Sequence, residues 1–164
     1  MRAFSFAVLM LFATAASAQQ LDLKVLDKLA EKANSKTEIN MDESMLKSAS
    51  ASLDEKKPNE GIAKKAITKA KGFFLRSLEF DNKNAFKIED LKPIFDQLKP
   101  PNWKLVLRNK EDDEVTEIWM HVTNGETDGM VLITAEPGEI TLIHGIGLTD
   151  MSELSALGKI EMVK

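Results

Sequence analysis

The chain has 164 residues, with 22 Lys and Arg against 26 Asp and Glu, a net charge of −4, 43% hydrophobic residues and no cysteine. An acidic balance spread along the chain lacks the basic stripe that nucleic-acid phosphates and anionic membrane surfaces require. Without cysteine there is no disulfide, thiolate metal site, thiol nucleophile or lipid anchor through an N-terminal cysteine, and the fold must rest on its apolar core.

Met1-Arg2, the apolar run Ala3 to Ala16 and the small-residue site Ala16-Ser17-Ala18 are the three parts of a secretory signal. Residues 1–18 are therefore expected to be a cleavable signal peptide, and residues 19–164 a single exported α+β domain, periplasmic or secreted, cut near Ala18. The apolar run is shorter than the roughly 18 residues that span a bilayer, so no transmembrane segment is expected in the mature chain. Loss of Arg2 with the signal leaves a net charge of −5.

Residues 19–71 read as mainly helical. Leu21, Val25, Leu26, Leu29, Ala30 and Ala33 fall at helical spacing. Thr37 to Met41 alternates like an edge strand. Asp42 then caps a helix carrying Met45, Leu46, Ala49 and Leu53. Asn59 is expected to cap the next helix, through Ile62, Ala63, Ala66, Ile67 and Ala70, with Gly72 as its left-handed stop.

Residues 72–158 read as a sheet with covering helices. The segment from Phe73 to Phe80 is apolar on both faces, which asks for cover on both sides, and Arg76 within it needs a carboxylate or carbonyl partner if buried. Ile88, Leu91, Ile94, Phe95 and Leu98 mark a helix that Pro93 starts or kinks. Asp150, with Glu153 completing a capping box, begins a last short helix through Leu154 and Leu157.

Between about residues 103 and 147 the chain reads as a four-stranded antiparallel meander. Asn124-Gly125 suits a type I′ turn and Pro137-Gly138 a type II turn, and an acidic loop, Glu111 to Glu114, joins the first pair. Tight hairpins set Trp119 opposite Met130, Ile118 opposite Val131, Ile133 opposite Leu142 and Leu107 opposite Ile118. That register gathers Trp103, Leu105, Leu107, Ile118, Met120, Val131, Ile133, Leu142 and His144 on one dry face. The other face is mixed. The fold class is thus α+β, a meander plus one further strand at about 73–80, with a helical N-terminal segment and helices packed mainly on one face.

Several short stretches resemble one family. Leu26-Asp27-Lys28-Leu29-Ala30, Arg76-Ser77-Leu78-Glu79-Phe80-Asp81, Pro101-Asn102-Trp103, Ala135-Glu136-Pro137, Glu139-Ile140-Thr141 and Leu157-Gly158 together are similar to the exported bacterial family catalogued as domain of unknown function 4252. The likeness runs over nearly the whole mature chain. It implies a periplasmic or secreted bacterial protein and brings no active site with it.

Chemistry-bearing groups are few. His144 falls on the dry face opposite Val131 and reads as a hydrogen-bonded core histidine. His121 faces Asp128 across one turn. Glu117 and His121 stand four residues apart on one strand, roughly 13 Å at 3.3 Å per residue, and cannot chelate one metal. No HExxH, GxSxG or calcium-loop spacing occurs, and Gly145-Ile146-Gly147 precedes Asp150 where a dinucleotide fingerprint wants glycine. No catalytic, cofactor or metal residue is assigned.

What remains is the mixed face, where Trp119, bordered by Lys104, Arg108, Glu117 and His121, either has the aromatic anchor and charged rim of an interaction surface or is covered by the N-terminal helices with the charges at its edge. The leading functional expectation is a non-enzymatic envelope protein that binds a protein partner or serves extracytoplasmic signalling. A carrier of a small molecule or lipid, with a pocket between helices and sheet, is the alternative, and a hydrolase around His121 comes third.

Overall fold

The computed structural model describes residues 20–154. The expected signal peptide lies outside that range, as does Leu157. The described chain runs α1 (Lys24–Ala30), β1 (Ser35–Asp42), α2 (Glu43–Ser50), α3 (Pro58–Lys69), β2 (Gly72–Glu79), a 3₁₀ turn (Ile88–Leu91), α4 (Lys92–Phe95), β3 (Trp103–Glu111), β4 (Glu114–Thr123), β5 (Glu126–Glu136) and β6 (Glu139–Ile146). Residues 151–154 form a further helical turn.

All six strands pair antiparallel in the order β1-β2-β6-β5-β4-β3. The α+β class, the meander and the further strand are as the sequence implies. β2 is interior, between β1 and β6, which explains its apolar residues on both faces. The alternating segment ahead of α2 is indeed an edge strand.

Local chemistry accounts for most boundaries. Asp42 accepts from the Met45 amide at 2.9 Å and starts α2. Pro93 sits in the first turn of α4, where its missing N–H costs nothing. Asn124 and Gly125 take φ of 54° and 87°, the two left-handed positions of a type I′ turn. Gly138 takes φ of 98°, and its carbonyl accepts from the Phe80 amide at 2.8 Å, tying the β5–β6 turn to the end of β2.

Two boundaries differ from the sequence reading. α3 starts at Pro58 with Lys57 as its cap position, so Asn59 lies inside the first turn. Proline preset for helical φ supplies the start without a side-chain cap. The helix ends where Ala70 turns extended, at ψ of 137°, and Gly72 already belongs to β2, so no left-handed glycine is needed there.

The larger difference is a register shift inside β4–β5. The turn pairs Thr123 with Glu126 and Val122 with Thr127, as a two-residue hairpin must. Asp128 is then an extra residue, and the next pair is His121 with Gly129. Every pair beyond it slips by one, so Trp119 faces Val131 and Ile118 faces Leu132. Because side chains alternate, β4 is turned over relative to the expected arrangement.

Ile118 and Met120 therefore leave the Trp103–Leu142 face and pack with Met130 and Leu132, while Trp119 joins Trp103, Val131, Ile133 and Leu142. A second irregularity, at Val106, gives β3 the same twist of fate: Leu107 still opposes Ile118, but Leu105 opposes Trp119.

Both faces are consequently apolar, and the helices expected mainly on one face divide between the two. Leu26 and Leu29 of α1, with Leu91, Ile94 and Leu98, cover the Trp103 face. Leu46 of α2, with Ala66, Ile67 and Ala70 from the α3 side and Leu148 and Leu154, covers the other. Arg76 of β2 finds two carboxylates, Asp27 of α1 and Glu38 of β1, and its guanidinium lies 5.6 Å from the Phe74 ring. It thereby fastens α1 and the outer strand to the sheet.

The two tryptophans test this register. Trp103 is 4% exposed and Trp119 8% exposed, so iodide should leave native tryptophan emission nearly unquenched and quench it fully in urea. Native emission quenched as strongly as the unfolded chain's would contradict the arrangement.

Candidate functional site

Four of the five residues singled out in the sequence share one face of the sheet. Arg108 opposes Glu117 on the neighbouring strand, and Trp119 and His121 follow Glu117 at alternate positions of β4. Lys104 opposes Met120 and so points to the other face. Glu117 is 4% exposed, Trp119 8% and His121 2%, which leaves Lys104 and Arg108 as the members presented to solvent.

Glu117 is the hub of the buried part. Its Oε1 accepts from Arg108 Nε at 2.6 Å and its Oε2 from Trp119 Nε1 at 2.7 Å, so both carboxylate oxygens are satisfied. A buried carboxylate holding a charged and a neutral donor is a fixed structural unit. It pins the indole and draws the edge strand β3 onto β4.

The second part surrounds Trp103. His121 Nδ1 lies 2.6 Å from Asp128 Oδ1, the ring nitrogen donating, while the Trp103 ring stands edge-on to His121 at 4.9 Å and to His144 at 6.0 Å. Asp128 is the extra residue of β5, and its carbonyl accepts from the Gly147 amide at 2.7 Å. The residue that shifts the register is thus held from both ends.

His144 opposes Val131 on the expected core face. The hydrogen bond foreseen for it is not found at Nε2, and the Nε2 of His121 also has no partner. Burial, with a smaller contribution from nearby His121, pushes the His144 imidazole down to about 4.

An imidazole oriented by a carboxylate with its other nitrogen open is the arrangement of a general base. Here that nitrogen is buried without a hydrogen-bond partner, beside the Trp103 ring, while Asp128 keeps 38% of its side chain exposed. Among the described residues no three His, Asp or Glu side chains gather as a metal set, and no helix is long and apolar enough to cross a membrane. A cavity of about 360 Å³ opens at the turn end of the sheet, lined by Lys83, Lys87, Ile88, Lys110, Asp113 and Glu136 among others.

Comparison with known families adds one result. The family described as Domain of unknown function (DUF4252) matches residues 31–157. The chain belongs to the DUF4252 family. No curated protein and no solved structure matches it. The DUF4252 match takes in all six strands and both parts of the buried cluster, while α1, which brings Asp27 to Arg76, precedes it.

Sequence reasoning paired His121 with Asp128 and opposed Arg108 to Glu117. It left open whether Trp119 is covered, and it set Trp119 on the face opposite Trp103, whereas the two share one core. The available signal was Gly129, since a glycine inside a strand pattern often marks a bulge. It also missed the exposure of Leu105 and Leu107 on β3, at 39% and 44%, which stand either side of Val106 at 51%.

The buried imidazole fixes a pH dependence. His144 titrates near 6.5 in the unfolded chain and at about 4 in the fold, so the unfolded state binds its proton first as pH falls. The contribution is whole above 6.5 and is lost as pH drops toward 4, about 3 kcal/mol in all. Urea titrations at pH 7 and pH 4 should show His144→Leu losing about 3 kcal/mol less than the parent protein. Equal losses in both would remove His144 as the cause.

Proposed function

We propose that the protein is an exported, non-enzymatic component of the bacterial envelope, periplasmic or secreted, that acts by binding another protein. The observation that carries this reading is β3. It is a nine-residue edge strand, paired only with β4, and every residue after Trp103 is exposed.

Free sheet edges are normally blunted by lysines and bulges, and β3 has both, at Lys104, Lys110 and Val106. Those devices suppress indiscriminate pairing. They do not account for three consecutive exposed apolar side chains, Leu105, Val106 and Leu107, which go beyond protection and suit a chosen partner. The two exposed members of the surface singled out in the sequence, Lys104 and Arg108, flank that triplet.

Export is supported by the basic start, apolar run and Ala16-Ser17-Ala18 site. A non-enzymatic role is supported by the burial of the His121 ring, 2% exposed and packed edge-on against Trp103.

The absence of cysteine makes site-specific labelling direct. A benzophenone attached at Val106→Cys should give a discrete protein adduct in intact envelopes, and the same label at Lys36→Cys on the opposite edge should give none. No adduct from position 106, or the same pattern from both positions, refutes the reading. The purified envelope form should begin at Gln19.

A further inference from the structure

This inference rests on the reading of β3 as a partner-binding edge and names what the edge accepts. We propose that β3 takes an extended acidic segment of a partner protein by main-chain strand pairing. The segment has a short apolar centre flanked by Asp or Glu.

The charge on the strand points that way. β3 carries Lys104, Arg108 and Lys110, with Glu111 at its far end, in a chain whose net charge is −4. Among the described residues neither Lys104 nor Lys110 is in an ion pair, and Arg108 keeps half of its side chain exposed while its Nε serves Glu117. Cations on both sides of an exposed apolar triplet match a segment with acidic ends and an apolar middle, whichever way the added strand runs.

A second copy of this chain fits worse. It would bring Lys104, Arg108 and Lys110 of one copy alongside the same three cations of the other, with Glu111 as the one acidic residue on each strand.

An anionic lipid surface fits worse too. Leu105 opposes Trp119 and Leu107 opposes Ile118, residues on opposite faces of the sheet, so no plane takes both leucines. An added strand does, because its own side chains alternate in the same way. The acidic turn Glu111-Asp112-Asp113-Glu114 adjoins the strand and would be pressed against the lipid headgroups.

The test uses the mature chain and two blocked heptapeptides, Glu-Glu-Val-Ile-Val-Glu-Glu and Lys-Lys-Val-Ile-Val-Lys-Lys. The glutamate peptide should bind, shift the backbone amides of Lys104 to Lys110, and exceed the lysine peptide about tenfold in affinity. In the Lys104→Glu, Lys110→Glu double variant, whose changes are on exposed side chains, the preference should reverse. No binding of the glutamate peptide, an unreversed preference, a β3-dependent dimer in sedimentation, or tighter binding to phosphatidylglycerol vesicles overturns the proposal. Envelope photo-adducts separate the two levels. An adduct from position 106 that survives the double charge reversal refutes the acidic segment and leaves β3 as an interface, whereas no adduct from either protein refutes both.

Discussion

The extra residue at Asp128 is the constraint on which the interior depends. Side chains alternate along a strand, so one residue more on β5 than on β4 exchanges the inside and outside of everything beyond it. The exchange puts Trp119 and Glu117 with Leu142, and sends Ile118 and Met120 to Met130 and Leu132. The His121 ring and the Gly147 amide then hold Asp128 by its side chain and its carbonyl. A polar group inside the protein is costly unless it is bonded, and here the bonds also specify the pairing.

The burial of Glu117 follows from the same shift. Glu117 is tolerable in the interior because Arg108 and Trp119 occupy its two oxygens. Arg76 is its counterpart on β2, a cation with 11% of its side chain exposed, held between Asp27 and Glu38. Each unit joins pieces that apolar packing alone would leave free to slide: β3 to β4 in one case, α1 and β1 to β2 in the other.

Much of the fold could be read from residues whose local chemistry admits one answer. Asn124-Gly125 and Pro137-Gly138 could only be turns, Asp42 a cap, Pro93 a helix start, and Phe73 to Phe80 a strand covered on both sides. The faces of β4 could not be read so, because Ile118, Met120 and Val122 alternate with Glu117, Trp119 and His121, and a polar set looks exterior until its partners are known. Hydrophobic alternation gives the period of a strand but leaves its phase to whichever contacts close first. The candidate site was legible only in its rim: Lys104 and Arg108 lie at the surface, and the tryptophan between them is interior. Leu105 and Leu107 of β3 passed as core for the same reason, since nothing in the sequence says that a strand is last in a sheet.

The strand order carries one more consequence, for synthesis. β2 sits between β1 and β6, so Gly72 must wait for Ile146 and Glu79 for Glu139. Contacts this distant along a chain are slow to form. A polypeptide made from its N-terminus onward holds β2 with one edge open and two greasy sides incompletely covered until nearly the whole molecule has emerged.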